Sequence, residues 1–576
     1  MHHQKRPNPP KKHHKEKRPE PKGLEGVISI SSRGVGLFRH ESLKDPIEIP
    51  EGKTGLALHG DTVRISFSAP LRRGQAPQGP DVTLVKRAKT RFVATTETQK
   101  GQLFAWADNY RIHVPFLILS PGIPENIKVL VELTSWQPNE EYPTAKVIEQ
   151  IGRKGEHETE MRAIVLDRGF SPEFPPEVEK EAEEIKRRAA SEWPKEAARR
   201  RDFRNITTFT IDPDNAKDFD DALSFEKIAG NLFRLGVHIA DVSHFVQPKT
   251  LLDREAQKRG TSIYLVDRTI PMLPEILSND LCSLNPNEEK FVFSAVFDLD
   301  GNGAVHQRWF GKGIIKSDKR FTYEEAQKVI DNGGQFENEL RTLNSIAKKL
   351  LADRSQKGAI SFEQDEVKFE LDEKGVPIKI FRKIRQDSNK LIEEFMLLAN
   401  REVASFIKTL KKDVRGESPL FLYRIHDVPD YEKIAELSIF VKALGHELNL
   451  KDGHVPGKDL NALFKKLEGQ AEEGMIKTAA IRSMAKAIYS IKNIGHYGLA
   501  FDYYTHFTSP IRRYPDVLVH RLLEHYLSGK RVGAHEFGFY EWLASQTTEA
   551  EIRAADAERE SIKLKQVEFM GRFLGK

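Results

Sequence analysis

Short segments in which apolar and polar residues alternate, separated by glycine and proline, fill most of the N-terminal part of the chain. They run over residues 23–90, as in "GVISISSRGVGLFRH", and resume over residues 91–152, as in "KVLVELTSW". Alternation with a period of two indicates β-strands, and turn residues at this spacing are typical of small antiparallel barrels. The sequence therefore predicts two tandem β-barrels, over residues 23–90 and 91–155.

Aromatic residues beside basic ones occur in both predicted barrels. Phe38 adjoins Arg39, and Tyr110 adjoins Arg111, with Trp106 a few residues earlier. Barrels of the OB or cold-shock kind bind single-stranded nucleic acid by stacking bases on such exposed rings. The same rings could instead fill the barrel interiors. The sequence leaves both roles open.

The residue pattern of the chain changes after the second predicted barrel, from alternating segments to helix-forming ones. Residues 156–204 are rich in helix formers with little apolar face, which predicts a helical linker that is broken near Pro194. Further on, strand-like segments such as "TTFTID" are mixed with helical ones such as "NKLIEEFMLLANREVASFIKTL". A chain of 576 residues is also too long for one ordinary domain. We therefore predict a mixed α/β domain over residues 205–525, followed by C-terminal helices over residues 526–576.

The positive charge of the chain is concentrated in its N-terminal tail. Residues 1–22 hold eight lysines and arginines against two glutamates, a net charge of +6, whereas the whole chain carries +5. The remaining residues therefore sum to −1, and overall charge says nothing about what the folded part binds. The tail cannot bury apolar surface, so we predict that it is disordered. A solubilising arm and an electrostatic arm for polyanions are equally good interpretations.

Two features of the sequence bear on its cellular compartment. The single cysteine, Cys282, excludes an intramolecular disulfide and fits a reducing compartment or a buried core position. The N-terminus lacks the apolar segment of a signal peptide, and no run of about 18 apolar residues could span a bilayer. We therefore predict a cytoplasmic protein without a membrane partner.

An acidic segment, "IDPDNAKDFDD" at residues 211–221, carries five aspartates and only one lysine. Carboxylates about 4 Å apart repel by roughly 4 kcal/mol per pair at an effective dielectric constant of about 20. A solvated acidic turn, a calcium loop and a magnesium site are the three ways to relieve that repulsion. An EF-hand that began at Asp212 would need glycine at Lys217 and glutamate at Leu223, so the calcium loop is excluded.

The segments on either side of the acidic segment weaken the solvated-turn interpretation. "TTFTI" before it and "ALSF" after it are predicted strands, whose apolar residues would carry the loop into a core. Carboxylate oxygens on rigid strand ends suit Mg²⁺, and two such ions could hold both the attacking water and the departing oxygen of a phosphodiester. The spacing alone leaves the metal site and the solvated turn open.

A second motif, "YTHFTSPIRRYPDVLVHR", begins at Tyr504. Its two prolines favour helix starts and fix Arg512 and Arg513 on a constrained segment. A guanidinium held in this way can bind a phosphate with two hydrogen bonds. For Arg513 we expect instead a structural ion pair with Asp516.

At this point the sequence resembles a known family, the ribonuclease II/R (RNB-type) 3′-to-5′ exoribonucleases, and most closely ribonuclease R. The matching segments, in order along the chain, are "TFTIDPDNAKDFDDALS", "GVHIADVSHFV", "IPMLPEILSNDLCSL", "KGAISFE", "LIEEFMLLAN", "HYGLA" and "YTHFTSPIRRYPD". The resemblance implies two OB/cold-shock β-barrels ahead of an RNB catalytic domain. It also implies a monomer that processively hydrolyses single-stranded RNA from a free 3′ end to nucleoside 5′-monophosphates, with two Mg²⁺ ions as cofactors.

The resemblance also assigns roles to individual residues. The four acidic positions of the family, which hold the metal ions, fall on Asp212, Asp218, Asp220 and Asp221, and Asp214 lies outside the pattern. Asp220 takes the central catalytic role, because loss of the matching aspartate abolishes cleavage in the family while RNA still binds. The arginine that contacts the scissile phosphate matches Arg512, and the aromatic residues that clamp the terminal bases match Tyr264 and Phe362. Either Glu393 or Glu394 is expected to contact the 3′-terminal nucleotide.

The chain departs from the family at both ends. Family members normally finish with an S1 barrel, and ribonuclease R often begins with a winged-helix segment, and we predict neither here. A truncated form and an enzyme that naturally lacks the S1 domain both fit. The alternative function is a non-catalytic cold-shock-type RNA-binding protein or RNA chaperone, and a metal-dependent endonuclease is a third possibility.

Overall fold

The computed structural model of the chain describes residues 23–66, 80–360, 366–411, 418–451 and 453–574. The chain divides into two compact units, Met1–Phe170 and Ser171–Lys576. The N-terminal tail and Phe362, for which the sequence suggests an arm and a base clamp, lie outside the described residues.

The first unit contains two successive five-stranded β-structures. The strands are β1 (Leu24–Ile30), β2 (Gly36–Phe38), β3 (Ile47–Ile49), β4 (Thr62–Ser66), β5 (Asp81–Lys86), β6 (Arg91–Gln99), β7 (Gln102–Ala107), β8 (Phe116–Ile118), β9 (Ile127–Ser135) and β10 (Thr144–Arg153), followed by α1 (His157–Asp167). The first five form an antiparallel sheet in the order β3-β2-β1-β4-β5, and the next five form a closed barrel in the order β10-β8-β7-β6-β9. In β1 and β4 alternate residues face inwards, as the period-two pattern predicts, whereas β6 and β9 of the closed barrel contain runs of three and four buried residues.

The aromatic residues of the first unit divide between core and surface. Phe38 is fully buried in the core of the first sheet, so the core-filling interpretation holds for it. Trp106 and Tyr110 are 37% and 67% exposed, and the guanidinium of Arg111 lies 5.9 Å from the centre of the Tyr110 ring. The second barrel therefore presents aromatic and basic groups together on its surface.

The second unit mixes strands and helices. Its strands are β11 (Arg201–Asp202), β12 (Thr208–Asp212), β13 (Asp221–Ala229), β14 (Leu232–Ala240), β15 (Ile263–Tyr264), β16 (Thr269–Ile270), β17 (Glu289–Asp300), β18 (Val305–Lys316), β19 (Lys319–Thr322), β20 (Glu366–Leu371), β21 (Pro377–Lys383), β22 (Tyr423–Ile425) and β23 (Ile488–Ser490). Its helices are α2 (Pro176–Ala197), α3 (Val242–Phe245), α4 (Leu251–Arg259), α5 (Tyr323–Asn332), α6 (Glu337–Lys357), α7 (Asp387–Thr409), α8 (Tyr431–Ala443), α9 (Gly457–Leu467), α10 (Glu473–Ser483), α11 (Tyr514–Leu527) and α12 (Phe537–Gly571). The predicted fold class, N-terminal OB/cold-shock β-structure followed by a mixed α/β domain, is confirmed, with the second predicted barrel closed and the first five strands forming a sheet.

A seven-stranded sheet is the framework of the second unit, in the order β11-β18-β17-β14-β13-β12-β19. Its neighbours are antiparallel except β11 with β18 and β12 with β19, which run parallel. The interior strand β17 is buried along almost its whole length, because its apolar run "FVFSAVF" is covered on both faces. Strand β12 is buried throughout and β13 is buried over Ala222–Ser224, and this burial favours one register for the two strands, whose ends border the acidic segment.

Helix α2 is not broken at Pro194, so this prediction was wrong. The helix continues to Ala197 with Pro194 in its last turn. A proline there removes one backbone hydrogen bond close to the end of the helix, where few residues follow. The three helices α8, α9 and α10 build a second, smaller apolar core. None of the described helices combines the length and the apolar character needed to cross a membrane.

Candidate active site

The acidic segment connects the ends of two neighbouring strands. Strand β12 ends at Asp212 and β13 begins at Asp221, so the connecting loop returns along one edge of the sheet. Asp212 and Asp220 are buried, Asp218 and Asp221 are half-buried, and Asp214 is exposed. Four of the five aspartates therefore point away from bulk water, and they are the four that the resemblance selects.

Side chains from other parts of the unit hold the backbone of this loop. The Ser283 hydroxyl accepts a hydrogen bond from the Phe219 N–H at 2.9 Å and donates to the Lys217 carbonyl at 2.9 Å. On the other side, Arg320 donates to the carbonyls of Pro213 and Asp214 at 2.6 and 2.7 Å. A loop pinned at both sides cannot relieve charge repulsion by opening into solvent.

Burial raises the pKa of each of these four carboxyl groups, and for Asp212 and Asp220 the neighbouring aspartates add to the rise. Burial, reinforced by Asp221 and opposed by Arg320, raises the pKa of Asp212 to about 8. Burial raises the pKa of Asp221 to about 6 against the opposing effect of Arg512 and Arg513. The pKa values of Asp218 and Asp220 are also raised, chiefly by burial. The fold thus holds more negative charge here than its own cations offset.

The donor set suits hard divalent cations. Oxygen Oδ2 of Asp212 is buried and has no hydrogen-bond partner among the described residues, which is costly unless another group binds it. Carboxylate oxygens are the preferred ligands of Mg²⁺, which usually keeps several waters and takes one or two carboxylates. Among the described residues, no three of these four carboxylates bring oxygens within 4.8 Å of one another, so their oxygens are not gathered around one point.

The arginine motif lies directly against the acidic loop. The backbone N–H of Ile511 donates to Oδ1 of Asp220 at 2.8 Å, and Nε of Arg512 lies 3.8 Å from Oδ2 of the same residue. Arg512 also donates to the Ser509 hydroxyl at 3.1 Å, and its side chain is 40% exposed. Two segments that are 291 residues apart in sequence thereby place a carboxylate and a guanidinium side by side.

Arg513 has the structural role that the sequence suggests. Its Nη2 donates to Oδ1 of Asp516 at 2.7 Å, and the same oxygen accepts the N–H of Ser509 at 2.8 Å. Asp516 is fully buried at the start of α11. This contact closes the turn that presents Arg512.

Replacing Asp516 by asparagine is expected to lower the stability of the second unit by about 3 kcal/mol, because Arg513 loses its buried counter-charge. The thermal unfolding midpoint should fall by several degrees. Glu541→Gln, on the exposed side of α12, is the control and should leave the midpoint unchanged. Equal midpoints for the two variants would show that the ion pair does not hold this turn.

Tyr264 lies next to the arginine motif through backbone pairing. The N–H of Ser262 donates to the Arg512 carbonyl at 2.9 Å, and the N–H of Tyr514 donates to the Gly260 carbonyl at 3.0 Å. The Tyr264 side chain is 36% exposed. Burial raises the pKa of its hydroxyl, Arg512 opposes that rise, and Asp218 adds to it, so the ring borders both motifs.

Tyr323 belongs to this site and was missed from the sequence. Strand β19 pairs in parallel with β12 and sets Thr322 opposite Asp212, which leaves Tyr323 at the first position of α5. Burial raises the pKa of the Tyr323 hydroxyl, and Asp221 and Asp212 add to the rise. The segment "TYEE" carries the T-x-x-E signature of a helix start, but no spacing rule joins it to an acidic loop a hundred residues earlier.

The two glutamates of α7 differ in their surroundings. Glu394 is buried and accepts a hydrogen bond from Arg354 at 2.5 Å. Glu393 is 35% exposed, pairs with Arg385, and lies 3.8 Å from Arg354. Glu393 is therefore the more exposed of the two side chains.

The raised pKa values predict a specific dependence of stability on pH. A folded state with raised carboxyl pKa values binds more protons than the unfolded chain, so the free energy of unfolding falls as pH rises from about 4 to about 8. In EDTA, the unfolding midpoint should therefore be several degrees lower at pH about 8 than at pH about 5. Asp212→Asn should flatten this dependence, and Asp214→Asn should not. A slope that is the same in all three proteins would contradict the assignment.

Comparisons with known proteins agree with this site. The family model described as RNB domain matches residues 200–529, and the model described as Cold shock domain matches residues 104–175. The chain is 34% identical to Ribonuclease R 1 of Lactococcus lactis, covering 96% of this chain and 69% of the relative. It is 34% identical to Ribonuclease R of Thermotoga maritima, covering 96% of this chain and 78% of the relative.

Among solved structures, the Mycoplasma genitalium RNase R in complex with ribose methylated single-stranded RNA matches with a TM-score of 0.85 and 25% identity, over 96% of this chain and 88% of that one. The RNB match covers more than half of the chain and contains both the acidic loop and the arginine motif. The chain therefore belongs to the RNB family and is a 3′-to-5′ exoribonuclease similar to ribonuclease R.

Proposed function

We propose that this exoribonuclease binds two Mg²⁺ ions with Asp212, Asp218, Asp220 and Asp221, and processively releases nucleoside 5′-monophosphates from the free 3′ end of single-stranded RNA. The observation that carries the proposal is the placement of Asp220 beside both Ile511 N–H and Arg512. A phosphate that lies near this arginine also lies near the four carboxylates. Bound divalent ions would supply charge neutralisation and activate a water for in-line attack.

The residues of the chain provide positioning. Arg512 has a guanidinium fork that suits two phosphate oxygens, and its backbone is fixed by the pairing with Ser262. Ile511 N–H fixes one oxygen of Asp220, which leaves the other oxygen facing the arginine. Pre-set geometry of this kind lowers the barrier, because little reorganisation is needed during the reaction.

The bases are held by stacking. The half-exposed ring of Tyr264 borders Arg512 and can stack on a terminal base, and we assign Phe362 as the opposing clamp on the strength of the resemblance alone. Stacking is tolerant of sequence because every base has a π-face. Glu393, the accessible member of its pair, is assigned to the 3′-terminal nucleotide.

The organisation of the protein is also part of the proposal. We assign residues 23–90 and 91–155 to the two barrels, 156–204 to the linker and 205–525 to the catalytic domain. We further propose that the protein acts as a monomer in the cytoplasm.

The test uses 5′-labelled single-stranded RNA with Mg²⁺. An exonuclease of this kind produces a ladder of shortened RNAs and free mononucleotides, and a blocked 3′ end stops it. An endonuclease would cut the blocked RNA as well, and a non-catalytic RNA-binding protein would bind both RNAs and shorten neither. Chromatographic identification of the mononucleotides as 5′-monophosphates or 3′-monophosphates tests the proposed product.

A further inference from the structure

A cavity of about 380 Å³ lies in the second unit behind helix α7, away from the four aspartates. Helices α6 and α7 form two of its walls, and residues 500–503 form a third. Its volume is in the range that accommodates a small organic ligand.

Cations outnumber the carboxylates that line the cavity. Two of its three carboxylates are already paired, Asp353 with Lys357 at 2.7 Å and Glu394 with Arg354 at 2.5 Å, and the third, Asp502, is exposed. Among its cations, Arg401 is paired with Glu402 at 2.9 Å. Lys408, at the rim, forms no ion pair with any carboxylate of the described residues. An anion at the rim would therefore meet a cation that has no other counter-charge.

An unpaired, buried nitrogen of Arg354 also points to a ligand. Its side chain is nine-tenths buried, and its Nε has no hydrogen-bond partner among the described residues. A buried, unpaired guanidinium N–H costs free energy, and an acceptor that entered the cavity would relieve that cost.

Two aromatic rings, Phe501 and Tyr503, also line the cavity. The guanidinium of Arg401 lies 5.7 Å from the centre of the Phe501 ring, and the Lys408 ammonium lies 4.8 Å from the centre of the Tyr503 ring. Both rings are half-buried. An aromatic wall with cations at its rim is the combination that binds a nucleobase together with its phosphate.

The cavity is connected to the candidate active site through one glutamate. Glu393 lies between Arg385 and Arg354, and Arg354 lines the cavity. Lys383, two residues before Arg385, has its ammonium 5.7 Å from the centre of the Tyr323 ring. The chain of contacts thus runs from the acidic loop, past the place assigned to the 3′-terminal nucleotide, to the cavity wall.

We propose that this cavity binds a nucleotide, with the phosphate at Lys408 and Arg401 and the base against Phe501 and Tyr503. The identity of the ligand rests on the proposed function, since nucleoside 5′-monophosphates are its products. The same chemistry is present at the 3′ end of an RNA strand. We assign the cavity to the released product.

The test is equilibrium binding of AMP to the full chain by calorimetry in EDTA, a condition in which the four aspartates disfavour a phosphate. The wild type should bind AMP saturably below about 10 mM, and adenosine, which lacks the phosphate, at least about tenfold more weakly.

Lys408→Gln should weaken AMP binding about fivefold to tenfold. Lys411→Gln, which removes the same charge on an exposed residue outside the cavity, should change it less than about twofold. Phe501→Leu keeps the apolar volume and should weaken AMP binding about fivefold through the lost aromatic face.

A second arm separates the two sources of the nucleotide. Single-stranded RNA should bind equally well to the wild type and to Lys408→Gln in EDTA, and AMP should not displace it. Loss of RNA affinity in Lys408→Gln, with displacement by AMP, would overturn the assignment to product and place the 3′ end of RNA in the cavity.

Two results would overturn the nucleotide site itself: no saturable AMP binding, or equal loss in Lys408→Gln and Lys411→Gln. RNA cleavage with Mg²⁺ is measured on the same preparations. Active protein that does not bind AMP contradicts only the cavity proposal, whereas protein that binds AMP without cleaving RNA contradicts only the proposed function.

Discussion

Asp220→Asn is expected to lower kcat for single-stranded RNA at least about 1000-fold while RNA affinity stays within about twofold of the wild type. The asparagine keeps the shape of the side chain, and its Oδ1 can still accept the Ile511 N–H. The change removes the negative charge beside Arg512 and one ligand oxygen of the proposed metal site. Cleavage of labelled RNA and filter binding in EDTA measure the two quantities separately.

Asp214→Asn is the matched control for this prediction, because Asp214 lies in the same loop but is exposed. It should cleave RNA at a rate within about twofold of the wild type. Equal loss of cleavage and of RNA binding in Asp220→Asn would indicate misfolding. Normal cleavage by Asp220→Asn would remove Asp220 from the mechanism.

Arg512→Lys is expected to lower kcat about 100-fold without a change in the unfolding midpoint. Lysine keeps the charge but loses the planar fork that can hold two phosphate oxygens. The Arg512 side chain is 40% exposed, and its only ion pair among the described residues is the 3.8 Å contact with Asp220, whose charge lysine can still offset, so the fold should tolerate the change.

Arg513→Lys provides the contrast at the neighbouring position. Arg513 is mostly buried and bound to Asp516, so its replacement should lower the unfolding midpoint by several degrees. If both variants lost stability equally, or if Arg512→Lys retained full activity, the assignment of phosphate binding to Arg512 and of a structural ion pair to Arg513 would be wrong.

Structural features that depend on residues close together in sequence could be predicted from the local sequence. The alternating segments predicted the β-structure of the first unit, and the apolar flanks of the acidic segment predicted its place between two strands, as observed at Asp212 and Asp221. The pairing of Arg513 with Asp516 also followed from local spacing, because the two residues are three positions apart at a helix start.

Features that depend on tertiary contacts could not be predicted in this way. Tyr323 reaches the acidic loop only because β19 pairs in parallel with β12, and no local pattern encodes that pairing. The choice between Glu393 and Glu394 required knowing that Arg354 lies over one of them. Helix α2 includes Pro194 because the helix ends only three residues later, at Ala197. The helix propensities of the residues do not determine this end point.

The crowding of the four aspartates is the basis for assigning metal-dependent chemistry to this site. Calorimetric titration of the metal-free protein with Mg²⁺ at pH about 8 measures this binding directly, with RNA absent. We expect saturable binding of two ions per chain, lost or reduced to one ion in both Asp212→Asn and Asp220→Asn and retained in Asp214→Asn. Absence of saturable binding in the wild type, or the same stoichiometry and affinity in all four proteins, would contradict it.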